Sequence, residues 1–260
     1  MEHRVTHSNS NGIVAAIAAC LIWGLTPIFY RQLAHVPPLE IMLHRVIWSF
    51  VLFGLVLAVQ RRLGEVKGLL TDRAQVGKVA LATLAISVNW FLFIYAVAID
   101  RLSESSLGYY IAPLFSVLIG FIVFREHLST IKWLAVAMAT VAVLILTVGL
   151  GAAPWISLAL SSTFAIYGAV KKTMGADSLV SVTAEAALMV PLAVCGVLFL
   201  SETRLTFDLT LVLLMLSGLL TAGPLMLYSY AAKHMRLASL GVVSYVNPTL
   251  QFLVAWMIFG

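Results

Sequence analysis

Residues 95–124, YAVAIDRLSESSLGYYIAPLFSVLIGFIVF, and residues 230–259, YAAKHMRLASLGVVSYVNPTLQFLVAWMIF, carry one pattern twice, 135 residues apart. Tyr95-Ala96 matches Tyr230-Ala231, Arg101-Leu102 matches Arg236-Leu237, Tyr110 matches Tyr245, Pro113 matches Pro248 and Phe124 matches Phe259. The identities hold one register across two apolar stretches and the connection between them. Chance seldom does that in an apolar sequence, and similarity at a fixed offset marks a duplicated unit.

The apolar runs around this pattern set the size of the unit. A bilayer core of about 30 Å needs roughly 20 apolar residues per spanning helix, and nine such runs can be cut: 12–33, 41–60, 76–99, 105–124, 131–149, 155–170, 181–200, 209–232 and 239–260. The first copy covers spans three and four, the second spans eight and nine, so the unit holds five helices. An odd number turns the second copy upside down. The expected fold is therefore an all-α integral membrane protein with an inverted repeat of five transmembrane helices, in a 5+5 arrangement. Its parts are an N-terminal tail (1–11), a first repeat (12–149) and a second repeat (150–260). After Phe124 the first copy continues through Arg125-Glu126-His127 into a fifth helix, whereas the second stops at Gly260. Nine helices with the tenth missing is the expectation.

Composition and charge agree with a membrane solvent. Hydrophobic residues make up 62% and charged residues 10%, and the mean hydropathy is +1.02. A soluble domain could not hide that much apolar surface. The net charge of +5 does not point to nucleic acid, because the cations cluster in short connections. One side holds Arg4, Arg61, Arg62, Lys67, Arg73, Lys78, Arg125, Lys132, Lys171, Lys172, Lys233 and Arg236; the other holds Arg31, Arg101 and Arg204. The positive-inside rule then puts the N-terminus in the cytoplasm and, with nine helices, the C-terminus outside. Cys20 and Cys195 lie in apolar segments away from metal-type partners, so neither a disulfide framework, a metal site nor a cofactor is implied. Ile17-Ala18-Ala19-Cys20 mimics a lipoprotein cleavage box, but the apolar run continues past it to Tyr30 as a full span.

Several stretches together resemble a known family. They are Leu21-Ile22-Trp23-Gly24 with Pro27, Glu40-Ile41 with His44-Arg45-Val46-Ile47-Trp48-Ser49, Asn89-Trp90 with Leu92-Phe93-Ile94, Ser105-Ser106-Leu107-Gly108-Tyr109 with Pro113, and Leu240-Gly241 with Tyr245 and Pro248. They are similar to the EamA-domain members of the drug and metabolite transporter superfamily, and within it to the RarD (chloramphenicol-sensitive protein) subfamily. The resemblance covers nearly the whole chain. It implies a ten-helix inverted-repeat carrier of the bacterial inner membrane, with helices one to four and six to nine around a central cavity. The fifth and tenth helices are implied at the periphery, where a homodimer contact would fall. One departure is Ala112, which stands opposite Asn247 in the repeat, so the two halves need not bind alike.

Ionisable groups inside a span are costly, by about 2.5–3.5 kcal/mol at its centre. Arg45 lies beside His44, with Glu40 one turn earlier, about 10 Å along the helix from the Pro38 break. It fits either a pathway group or a side chain snorkelling to the outer interface. Glu185 lies a turn or so into the seventh span and is read either as a cavity-facing proton or substrate group or as a helix-end residue. The two start from opposite faces of the membrane, which suits paired gate positions.

Aromatic residues recur where a cavity is expected: Trp23, Tyr30, Trp90, Tyr95, Tyr109, Tyr110, Tyr167, Tyr228, Tyr230 and Tyr245. Interfacial anchoring or packing accounts for many such residues. Tyr110 and Tyr245 precede the matched Pro113 and Pro248 by three residues. Each proline frees a backbone carbonyl, which a span tolerates only against protein or a wet cavity. Those helices are expected to bend and line the cavity, with Asn89 and Asn247 as uncharged hydrogen-bonding groups.

The chain holds no Gly-x-Ser-x-Gly, His-Glu-x-x-His, Asp-rich phosphate motif or Walker loop, which argues against an enzyme or a nucleotide-driven pump. The expected function is secondary transport of a small organic metabolite or drug by alternating access, with proton coupling and facilitated exchange both open. A channel or a non-transporting membrane subunit are the alternatives. The expected partners are the lipid bilayer and the small-molecule substrate.

Overall fold

The computed structural model describes residues 10–98, 102–150, 155–200, 208–254 and 257. Arg4, Arg101, Arg204, Phe259 and Gly260 lie outside them. The described residues form helices joined by short connections: α1 (Ser10–Tyr30) running into a 3-10 turn (Arg31–Leu33), α2 (Pro38–Val59), α3 (Leu63–Thr71), α4 (Arg73–Ala98), α5 (Leu102–Ile122), α6 (Thr130–Leu150), α7 (Trp155–Thr173), α8 (Ser178–Leu200), α9 (Leu209–His234), α10 (Leu237–Val243) and α11 (Val246–Val254). Five segments among them are long and apolar enough to cross a bilayer: Ser10–Leu33, Pro38–Val59, Arg73–Phe93, Ser178–Phe199 and Leu209–His234.

Three departures from the sequence-based cuts have local causes. The stretch read as a cationic connection after span two contains α3, which buries Val66 and Leu69 on one side and is too short to span. The sixth span, cut at residue 170, continues to Thr173, so Lys171 and Lys172 stand on α7 and not in a loop. The span expected as one helix over 239–260 is interrupted at Ser244-Tyr245. Pro248 has no N–H for the Ser244 carbonyl, which accepts from Asn247 N at 3.2 Å in a tighter turn instead. Pro113, by contrast, lies inside a continuous α5.

The first and second halves of the chain interleave: α1 packs on α9 and α11, α2 on α8 and α9, α4 on α7 and α8, and α5 on α7 and α10, while α6 packs on α5. A close crossing joins α2 to α9. A Cβ built on Gly218 would lie 2.6 Å from the Ser49 nitrogen and the Trp48 carbonyl carbon. The Ser49 hydroxyl lies 2.5 Å from its own helix's Arg45 carbonyl and 2.9 Å from the Gly218 carbonyl across the crossing. In α5 against α10 a Cβ on Gly241 would come within 2.7 Å of the Pro113 carbonyl oxygen.

One end of the bundle gathers the cations. Lys78 donates to the Thr173 carbonyl at 2.8 Å and Lys172 to the Met235 carbonyl at 2.7 Å. Arg62 lies 3.7 Å from Asp177. Glu126 accepts from the amides of Leu237 and Ala238 at 2.8 and 2.9 Å and pairs with Lys172 at 3.2 Å. The turn after α5 is thereby pinned to the start of α10.

Two glycines on α9 should respond oppositely to a methyl group. Gly218→Ala forces α2 and α9 apart and should cost about 1–3 kcal/mol. Gly223→Ala, with nothing within 4 Å of the new carbon, should be neutral or stabilise by up to about 1 kcal/mol through helix propensity. Thermal unfolding of both variants in detergent checks the contrast.

Candidate functional site

A cavity of about 460 Å³ lies between the helices. Its wall runs from the α1–α2 connection, where Ala34 and Pro38 are exposed, inward to Cys20, Ser116 and Ser244. This mouth is remote from the cationic end. The inner end is closed by an aromatic cluster: Trp23 meets Phe164 at 5.9 Å between ring centroids and Tyr228 at 5.8 Å, and Phe164 meets Tyr228 at 5.1 Å. Tyr167 stacks behind them on Phe164 and Tyr228. Tyr167 and Tyr228 are fully buried.

Beyond this cluster lies a buried charged group. Lys171 donates to Glu185 and, at 2.6 Å, to the Ser181 hydroxyl. Tyr167 donates to the other Glu185 oxygen at 3.2 Å. The side chain of Lys171 is 0% exposed and that of Glu185 4%. Glu185 also borders a recess of about 20 Å³, large enough for one water. Ile86, Trp90, Thr221 and Leu225 line both this recess and the central cavity.

Arg45 occupies the cavity wall. Its Nε donates to Thr221 Oγ1 at 2.6 Å, while that hydroxyl donates to the Ser217 carbonyl at 2.7 Å. The guanidinium carbon stands 5.3 Å from the Tyr30 ring centroid and 5.2 Å from that of Trp90. The planar cation therefore has two aromatic neighbours, an arrangement that attracts it and limits its rotation. Asn89 donates to the Leu160 carbonyl at 2.7 Å and to Thr163 Oγ1 at 3.2 Å, joining α4 to α7 beside the cavity. Asn247 accepts from Gln251 at 3.1 Å.

Of the residues singled out in the sequence, Trp23, Arg45, Asn89, Trp90, Pro113, Asn247 and Pro248 line the cavity. Tyr110 donates to the Pro248 carbonyl at 3.5 Å and so ties the two matched proline segments together. Tyr245 keeps a buried hydroxyl with no hydrogen-bond partner among the described residues. His44 is buried, and neither ring nitrogen has such a partner. Tyr95 is 40% exposed and packs against Phe91 and Trp155. Tyr230 stacks on His234 at 4.0 Å, four residues along α9. Tyr167 and Glu185 belong to the charged group beyond the aromatic closure. Thr221 and Lys171 were not among the sequence candidates. Thr221 carries no signal in sequence, because a threonine in a span ordinarily bonds its own helix. Lys171 was hidden by the early end given to span six; its spacing of four from Tyr167 was the available clue.

Breaking the buried pair from one side should be costlier than removing it. Lys171→Met leaves Glu185 without its counter-charge and should destabilise by about 3–5 kcal/mol, while the double change Lys171→Met with Glu185→Leu should recover most of that loss. Denaturant unfolding of the single and double variants in micelles measures the difference.

Comparison with known proteins places these features in a family. The family described as EamA-like transporters matches residues 10–148. Protein RarD of Streptomyces exfoliatus is 39% identical over 254 residues, covering 96% of this chain and 81% of that protein. Protein RarD of Salmonella typhi is 36% identical over 255 residues, covering 96% and 86%. A Vibrio cholerae protein named as an uncharacterized transporter is 34% identical over 255 residues, covering 96% and 84%. A solved crystal structure superposes with a TM-score of 0.75 at 16% identity, covering 97% of this chain and 90% of that one, a likeness of fold.

Proposed function

This chain belongs to the EamA-like transporter family, and on that premise we propose that it moves a small organic solute across the bacterial inner membrane by alternating access, as a secondary transporter with its N-terminus in the cytoplasm. The observation that carries the reading is the one-sided cavity, walled at its mouth by Ala34 and Pro38 and closed at the other end by Trp23, Phe164, Tyr228 and the Lys171–Glu185 pair. A static pore would be wet throughout. A carrier is closed on one side at a time.

Orientation follows from the cations. The end where Lys78, Lys172 and Arg62 bond across helices is the end the positive-inside rule assigns to the cytoplasm. The cavity mouth then faces outward. Two-fold related halves are part of the proposal, with α1, α2, α4 and α5 exchanging with α7, α8, α9 and α10–α11. The packing supports it, because the contacts come in exchange-related pairs: α1 on α9 answers α4 on α7, α5 on α7 answers α1 on α11, and α2 on α9 answers α4 on α8. Such halves rock about a site near the midplane. Glu185, paired with Lys171 and beside a water-sized recess, is the group we assign to proton coupling.

Flux in proteoliposomes tests the reading, with a panel of amino acids and aromatic drugs including chloramphenicol, with and without an imposed pH gradient. The expected result is saturable flux of at least one member that responds to the gradient and loses that response in Glu185→Gln. Saturable flux indifferent to the gradient would remove the coupling and keep the carrier; no flux from folded protein would remove the carrier. Orientation has its own check in intact cells. Thr26→Cys, on the cavity wall in a Cys20→Ala background, should react with a membrane-impermeant maleimide added outside.

A further inference from the structure

We infer that the central cavity is an organic-anion site, in which Arg45 takes a carboxylate and the aromatic walls take a flat apolar body of one or two rings. This rests on the transport reading above and names its substrate class.

The sign of the charge in the cavity favours an anion. Among the described residues lining the cavity, Arg45 is the one charged side chain, and neither Asp nor Glu lines it. Glu185, the acid near the same helices, is engaged by Lys171 and Tyr167. An arginine within a span is costly, and the ion pairs formed among the described residues do not include one to Arg45. A substrate anion arriving at the guanidinium offsets that cost. A protonated amine there would raise it.

The guanidinium is held in a geometry that suits a carboxylate. Nε is held by Thr221, and the Tyr30 and Trp90 rings stand 5.3 and 5.2 Å from the guanidinium carbon. Thr221 is fixed in turn, since its own proton goes to the Ser217 carbonyl. Among the described residues this Nε bond is the one hydrogen bond from Arg45, which leaves the two terminal nitrogens for a ligand. Their paired N–H groups match the two oxygens of a carboxylate. Snorkelling would leave the side chain mobile and hydrated at the interface, whereas this one is held against α9 in the cavity wall.

The rest of the wall suits a ring. Trp23, Trp90, Phe164 and Tyr109 supply aromatic surface, and about 460 Å³ suits a small ring-bearing molecule. Asn247 and Gln251 add neutral hydrogen-bonding groups without changing the charge.

The test uses matched triplets of probes on the full chain in detergent: phenylacetate, phenylacetamide and phenethylamine, and indole-3-acetate, indole-3-acetamide and tryptamine. Equilibrium dialysis of radiolabelled probes gives affinities. At least one carboxylate should bind about tenfold or more tighter than its amide, the scale of a charge-assisted hydrogen bond, and its amine should bind weakest. Arg45→Gln should erase the carboxylate advantage, bringing carboxylate and amide to equal affinity. Arg45→Lys and Thr221→Ala should each reduce it, and they carry the test if Arg45→Gln does not fold. Equal binding of carboxylate and amide, no binding of either, or a carboxylate advantage that survives these variants overturns the assignment. The same probes in proteoliposomes separate the two claims. Arg45-dependent binding without flux keeps the anion site and removes the carrier; saturable flux of the amides without carboxylate preference keeps the carrier and removes the anion site.

Discussion

The close approach of α2 and α9 at Gly218 is the contact from which the rest of the bundle takes its spacing. Lipid tails are as apolar as leucine side chains, so helices in a bilayer gain little from hiding apolar surface from one another. They hold together by van der Waals packing and hydrogen bonds, which need backbones near each other. Gly218 allows the Ser49 hydroxyl to reach a carbonyl on the neighbouring helix. One turn along α9, Thr221 meets Arg45 from the same crossing. The contact that packs the helices therefore also sets the direction of the Arg45 cation in the cavity wall.

The polar groups of the bundle fall into two sets that behave differently. Around the cavity they are spread out: Arg45, Asn89, Asn247 and Gln251 each make one or two bonds and leave donor or acceptor capacity toward the space. At the closed end several are gathered into networks, with Lys171, Glu185, Ser181 and Tyr167 in one and Glu126 serving both Lys172 and the start of α10. Satisfied networks in a low dielectric are rigid, because any opening must rehydrate several groups together. The open end includes apolar contacts around Leu33, Val36 and Leu214 and an exposed contact of 3.2 Å between the His35 ring and the Thr210 hydroxyl.

The two matched prolines show how one local rule yields two outcomes. Both remove a hydrogen bond, yet α5 stays continuous through Pro113 while the chain breaks into α10 and α11 before Pro248. Both proline segments line the cavity, and Tyr110 on one reaches the Pro248 carbonyl on the other. At the interrupted turn the Ser244 carbonyl finds a nearer donor in Asn247, whereas Ala112 stands immediately before Pro113.

The sequence by itself determined the helical class, the membrane as solvent and the family. These depend on the length of apolar runs and on local motifs such as His44-Arg45-Val46-Ile47-Trp48-Ser49, and such signals survive without knowing what touches what. It also singled out Arg45 and Glu185, because a charge inside an apolar run is conspicuous wherever the helix turns. Tertiary structure alone decided their partners. Thr221 meets Arg45 from 176 residues away, and Lys171 reaches Glu185 from a stretch that reads as a cationic loop. It also separated Trp23 and Trp90 on the cavity wall from Tyr95 on an outer face. In an all-apolar helix no periodicity distinguishes lipid from protein, so which side faces inward is settled by the neighbouring helices.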